Sequence, residues 1–248
     1  GLNQKEEYAT QIERSKLIQY ATINNNIVPY FQPIVNDQKV PVKYECLIRL
    51  LDRGDVISPN VFLDISKRIK RYADLEKQLI KKCFKQLVED KNLVLSINLS
   101  SRDMIDGDVS SLVLNLLNKH NVAGRVVFEI VEDEELKNLE RVSNFIERVK
   151  SMGAKIAIDD FGSGYSNFSY IIKIKPDYVK IDGSIIKDID INKDSHSIAS
   201  AIVAFAKDLG IKTIAEYVHS KEIFEICKEI GVDEFQGFYF GAPERAGS

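Results

Sequence analysis

The chain has 248 residues, of which 44% are hydrophobic and 29% charged, with a formal net charge of −3. That size and balance suit one large α/β domain. They give no sign of the clearly basic surface usual in a nucleic-acid-polymer binder, so an anionic substrate has to be met locally, by metal ions or a few placed cations. Residues 1–24 are polar, with Ile12, Leu17, Ile18 and Ala21 at three- and four-residue steps, and read as a lead-in helix. Ile27 to Val35 and Val40 to Leu50 then read as strands, which the turn residues Asn36-Asp37 would join as a hairpin. Helical patterns at 59–71 and 73–89 precede a strand at Leu93 to Leu99, and a helix at 108–120 precedes Val126 to Val131. A helix at 134–151 leads to Lys155 to Asp159, and a short one near 166–172 leads to Tyr178 to Asp182. Helices near 194–209 and 220–230 precede the strands Ile211 to Ala215 and Glu234 to Phe240. Eight strands with interleaved helices predict an α/β fold, a (β/α)8 TIM-like barrel over residues 25–248 with an irregular, antiparallel first strand.

Cys46, Cys83 and Cys227 form no CxxC pair and no disulfide framework, which points to a reducing compartment. No apolar run approaches the roughly 18 residues that span a bilayer, and the polar N-terminus is not signal-like. The chain lacks an initiator Met and ends in Arg-Ala-Gly-Ser, so a module of a longer protein is expected.

Side chains alternate across a strand, which tells the lumen face from the helix face. Glu45, Leu47 and Arg49 share one face, while Cys46 and Ile48 point to the helices. By the same rule Asn98, Glu129, Asp159, Lys180 and Asp182 point inward, near the carboxyl ends of their strands. The adjacent carboxylates Asp159 and Asp160 repel each other unless something positive separates them. A helix cap by Asp160 is the plain alternative for the pair alone. Five strands converging with polar groups inside one barrel would be hard to satisfy without a ligand, which favours two divalent cations.

Glu45, Asn98, Glu129, Asp159 and Asp160 are hard oxygen donors. With no His or Cys among them they suit Mg²⁺ or Mn²⁺ better than zinc. Two such ions would activate a water for in-line attack on a phosphoryl group. Lys180 could hold the attacking oxygen or a non-bridging oxygen, or simply pair with a carboxylate, and Arg49 could grip a phosphate. The histidines His120, His196 and His219 are dispersed.

These stretches, taken together, resemble the EAL domain family of cyclic di-GMP-specific phosphodiesterases. In order they are Phe31-Gln-Pro-Ile34, Glu45-Cys-Leu47 with Arg49, Asn98-Leu-Ser100, Glu129-Ile-Val-Glu132 and Asp159-Asp-Phe-Gly-Ser-Gly-Tyr-Ser166. Lys180-Ile-Asp182, Ala215-Glu216 and Gln236-Gly-Phe238 with Pro243 complete the set. The resemblance implies that Glu45, Asn98, Glu129 and Asp159 bind one metal and that Asp159 bridges to a second held also by Asp160. It implies that Lys180 and Glu216 position or deprotonate the attacking water, with Gln236 in the catalytic set. Gln32, Leu47, Arg49 and Pro243 fall at substrate-contacting positions. Glu132, Phe161, Gly162 and Ser163 belong to a loop that steadies the metal site and takes part in dimer contacts. The family implies cleavage of cyclic di-GMP to linear pGpG with Mg²⁺ or Mn²⁺ in the bacterial cytoplasm. It also implies a homodimer and an upstream sensory or GGDEF-type domain, with no nucleic-acid polymer or membrane as partner; the alternative is a weak or inactive cyclic di-GMP receptor.

Two departures stand out. Cys46 replaces the family's central Ala on the outward face, which implies a packing change only. In Ala215-Glu-Tyr-Val-His219 the family has Gly and a second Glu where this chain has Tyr217 and His219. A bulky ring and a lost carboxylate there would alter rate, metal preference or the dimer surface, or both changes are peripheral.

Overall fold

A hairpin opens the barrel and also closes it. In this computed structural model, which describes residues 2–131, 139–164 and 168–247, helix α1 (Leu2–Ile23) leads into β1 (Ile27–Val35) and β2 (Pro41–Asp52). The chain continues through β3 (Asp55–Ile57), α2 (Pro59–Arg68), α3 (Tyr72–Glu89), β4 (Leu95–Leu99), α4 (Ser101–Ile105) and α5 (Gly107–His120). Next come β5 (Val126–Val131), α6 (Leu139–Ser151), β6 (Lys155–Phe161), α7 (Phe168–Ile174), β7 (Tyr178–Ile181) and α8 (Gly183–Ile186). It ends with α9 (Lys193–Asp208), β8 (Lys212–Ala215), α10 (Lys221–Ile230), β9 (Glu234–Gln236) and β10 (Glu244–Arg245).

Strand β1 runs antiparallel to β2 from Ile27↔Leu50 to Ile34↔Lys43 and antiparallel to β9 at Ile34↔Gln236. From β2 through β4, β5, β6, β7 and β8 to β9 every pairing is parallel. The ring therefore closes as a mixed eight-stranded barrel, with β3 and β10 as short outer strands on β2 and β1. The irregular strand expected at the start is β1. Only the parallel steps need helices as crossovers.

Several boundaries differ from expectation. The helix expected over 59–71 stops at Arg68 because Ile69 and Lys70 leave helical geometry, Lys70 with φ +57°. The pattern at 108–120 is preceded by α4, which Ser100 and Asp103 start with a reciprocal capping box. Asp106 then caps α5 by accepting from the Asp108 and Val109 amides. The last barrel strand ends at Gln236 rather than Phe240, since the Phe240 amide bonds back to the Gly237 carbonyl in a turn. Of the helix expected over 134–151, residues 134–138 lie outside the described residues.

Strand alternation divides the apolar residues into two layers. Cys46, Ile97, Phe128, Ile158, Val179 and Phe235 point outward and pack with the helices. Ile34, Val127, Ala157, Tyr178 and Ile214 form a separate small cluster inside the lumen. That inner cluster is the floor on which the polar site is built. No helix among the described residues is long and apolar enough to cross a membrane.

Candidate metal centre

Each floor residue is two positions along the chain from an inward polar one. Val127 leads to Glu129, Ala157 to Asp159 and Tyr178 to Lys180 within their strands, Ile214 leads to Glu216 one residue past the end of β8, and on the reversed β1 Ile34 follows Gln32. The period of two thus lifts five polar side chains onto one level above an apolar base. Beside the floor, Lys43 pairs with Glu234 and its ammonium lies 3.7 Å from the centre of the Tyr178 ring, so this buried charge is also satisfied.

Lys180 stands at the centre of that level with no solvent exposure. Its Nζ is 2.8 Å from Glu129, 3.0 Å from Glu216, 3.1 Å from Glu45 and 3.8 Å from Asp159. Neutral donors hold the carboxylates in place. Asn98 Nδ2 donates to Glu45 Oε1 at 2.9 Å, Ser96 Oγ to Glu129 Oε1 at 2.6 Å, and Gln236 Nε2 to Glu45 Oε2 at 2.6 Å. Gln236 Nε2 also donates to Gln32 Oε1 at 3.0 Å, and Gln32 Nε2 donates to the Gly241 carbonyl at 3.2 Å. Ser96 is the residue that reading the sequence passed over. It lies on the same inward face as Asn98, and the alternation that found Asn98 would have found it.

One ammonium cannot offset four carboxylates, and the proton affinities show it. Burial first, then the Glu45 charge, pushes the Glu129 carboxyl up to about 8, against the pull of Lys180. Burial likewise raises Glu216 well above the usual carboxylate range although Lys180 opposes it. Burial works to raise Glu45 too, but Lys180, Asn98 and Gln236 outweigh it and hold that group low. The Lys180 ammonium resists its own burial because Glu129, Glu45, Asp159 and Glu216 surround it, and its pKa is raised. Asp160 is pushed up to about 6 by burial, Asp159 and Asp182.

The carboxylates fall into two groups that share one member. Glu45, Glu129 and Asp159 bring ligand oxygens within 4.8 Å of one another, and so do Asp159, Asp160 and Glu216. Asp160 can join its neighbour because its backbone is left-handed, at φ +53°, where the register with β7 is interrupted. Its amide donates to Asp159 Oδ1 at 2.9 Å, which fixes that carboxylate. Among the described residues Gln236 Oε1 is buried with no hydrogen-bond partner. Excess negative charge, all-oxygen donors and an orphaned acceptor fit divalent cations of the Mg²⁺ or Mn²⁺ type.

Above this level a cavity of about 740 Å³ opens, lined by Gln32, Glu45, Leu47, Glu216, Tyr217 and Gln236 among others. Arg49 and Pro243 are not in its lining. Arg49 instead donates to the Ile48 carbonyl at 2.8 Å and lies 5.5 Å from the centre of the Tyr30 ring. Asp182, expected to point inward, accepts from the Ser184 amide as the cap of α8 and still reaches the cavity wall. Phe161 is fully buried, edge-on to Phe168 at 5.3 Å. Gly162 turns at φ +94° with Ile185 packed where its side chain would be, and the Ser163 amide closes the turn on the Asp160 carbonyl at 3.3 Å. Glu132 lies outside the described residues, as do Tyr165 and Ser166.

Comparison with known proteins agrees with this geometry. Residues 16–243 match the EAL domain. The cyclic di-GMP phosphodiesterase PdeB of Shewanella oneidensis is 28% identical over 235 residues, covering 92% of this chain and 28% of that protein. The EAL domain protein of Listeria monocytogenes superposes with a TM-score of 0.85 at 27% identity, over 93% of this chain and 94% of that one. The EAL enzyme Bd1971, in its cAMP and cyclic-di-GMP bound form, superposes with a TM-score of 0.86 at 25% identity, covering 98% of this chain and 69% of that one. The chain spans about a third of the length of curated relatives such as PdeB, at 28%, and PdeA of Borreliella burgdorferi, at 36%. With the family matched from the lead-in helix to the last barrel segment, the chain belongs to the EAL domain family.

Proposed function

We propose that this domain is a metal-dependent phosphodiesterase that opens cyclic di-GMP to linear pGpG. The observation that carries the reading is the pair of carboxylate groups joined at Asp159 around the buried Lys180. Glu45, Asn98, Glu129 and Asp159 would hold one ion, and Asp159 and Asp160 a second. When bound, two such cations acidify a water and offset the charge that builds on the phosphoryl group. Lys180 would orient the attacking oxygen through its ammonium, and Glu216, 3.0 Å from that ammonium, would take up the proton that the water releases. A bond from phosphorus to the water oxygen forms as one phosphorus–ribose oxygen bond breaks, and the ribose oxygen leaves with a proton. Gln236 holds Glu45 in position, while Gln32 and Leu47 line the entrance. Arg49 and Pro243 are assigned to the substrate, and Glu132, Phe161, Gly162 and Ser163 to loop support, on the family resemblance.

The similarity to cyclic di-GMP phosphodiesterases such as PdeB, and to Bd1971 in its cyclic-di-GMP bound form, supports the substrate. A homodimer, an upstream sensory or GGDEF-type domain and a bacterial cytoplasmic location belong to the same proposal. The test is incubation of the purified domain with cyclic di-GMP and Mg²⁺ or Mn²⁺, with separation of the products. The expected product is pGpG, lost in Asp159→Asn. Undiminished turnover in that variant would falsify the reading, and binding without product would make the domain a receptor.

A further inference from the structure

Tyr217 immediately follows Glu216, yet its side chain is 62% exposed and lines the mouth of the barrel. Its backbone is left-handed, at φ +62°, a conformation that side chains with a Cβ disfavour and that collects at ligand sites. Burial of the ring in the core does not offset that strain, because the ring is mostly outside it. Val218, between Tyr217 and His219, is fully buried, so the two aromatic neighbours project from the same outer side of the segment.

The ring is held in place from two directions. On one side it covers bare backbone: a Cβ added to Gly183 would lie 2.8 Å from Tyr217 Cβ and 3.4 Å from Cγ. On the other, the His219 ring meets it edge-on, with centroids 6.0 Å apart at 77°. His219 is anchored by a 2.9 Å hydrogen bond between Nε2 and the Lys187 carbonyl. The cavity has a second exposed aromatic wall in Phe238, at 75% exposure. A seated, solvent-facing ring one residue from the acidic centre is suited to a flat heteroaromatic group whose phosphate enters that centre.

We propose that Tyr217 is a substrate-binding residue whose ring stacks on a nucleobase of the cyclic dinucleotide. The proposal rests on the phosphodiesterase reading and adds to it the residue that grips the base. Its test is calorimetric titration of cyclic di-GMP in Ca²⁺, which avoids turnover, on the wild type, Tyr217→Phe and Tyr217→Gly, with thermal midpoints measured alongside. Tyr217→Phe keeps the ring and should bind within about twofold of wild type. Tyr217→Gly should bind roughly 5- to 20-fold more weakly, the lower part of the range for base–aromatic stacking. Its thermal midpoint should not fall, because glycine accepts the left-handed backbone. Equal or tighter binding by Tyr217→Gly overturns the stacking contact and leaves the phosphodiesterase reading intact. Weaker binding with a lowered midpoint assigns the ring to folding and also overturns the contact. A wild type that neither binds nor cleaves cyclic di-GMP overturns both.

Discussion

Lys180 and Glu129 form a 2.8 Å ion pair in which neither side chain touches solvent. The pair is one edge of a larger imbalance, since Glu45, Asp159 and Glu216 also crowd the same ammonium. Removing that cation leaves buried carboxylates facing one another. Lys180→Met should therefore destabilise the metal-free domain by roughly 3–5 kcal/mol, the usual cost of breaking a buried pair on one side. Urea unfolding in EDTA measures this, and Mn²⁺ should restore part of the loss by replacing the charge. A variant as stable as wild type in EDTA would mean that water already screens these groups.

Away from the lumen, a second buried carboxylate gives a pH dependence with a definite sign. Burial first, then the Asp103 charge, pushes Glu76 from its ordinary 4.5 up to about 8, with Tyr72 and Lys67 opposing. Between those values the folded protein keeps a proton that the unfolded chain has released. Stability therefore falls as pH rises across that window. Glu76→Gln carries no such proton, so the loss of stability between pH 5 and pH 8 should shrink by about 1–3 kcal/mol. Denaturant titrations at the two pH values decide it. An undiminished loss would place the pH dependence elsewhere.

Much of this site is legible in the sequence because covalent geometry sets the period of a strand. Once Glu129 is placed inward, Phe128 and Ile130 must face the helices, and the same argument holds for Glu45, Asn98, Asp159 and Lys180. Glu216 lies one residue past a four-residue strand and Gln236 ends a three-residue one, both too short for alternation to mark them, and only the family resemblance singled them out. Arg49 shows where the argument stops. Alternation gives the face from which its side chain leaves the strand, but the Tyr30 ring on the neighbouring strand decides where the guanidinium rests. Short elements such as α4 and β10 escape because a few residues carry no readable period.

Protonated Glu129 cannot ligate a cation, so its raised pKa of about 8 makes protons compete with metal. Burial is the first cause and the Glu45 charge the second, and both persist until a cation arrives. Affinity for Mn²⁺ should rise as pH increases from 6 to 8, with about one proton released per site filled at pH 7. Calorimetry in two buffers of different ionisation enthalpy counts that proton. Release of none would remove Glu129 from the ligand set.

Cys46 tests whether the two faces of the barrel wall are independent. It lies between Glu45 and Leu47 in sequence, but its side chain is buried on the outer face against the Cys83 thiol of α3. Glu45, one residue earlier, points to the lumen and is fixed there by Asn98, Gln236 and Lys180. Cys46→Ala removes one sulfur from a packed layer and should cost about 1 kcal/mol through the small void it leaves. The hydrogen bonds that position Glu45 all come from the lumen side, so turnover of cyclic di-GMP should stay within about twofold of wild type. Thermal unfolding and initial rates with Mn²⁺ measure the two effects on one sample. A larger loss of rate than of stability would show that packing behind the strand sets the position of the carboxylate in front of it.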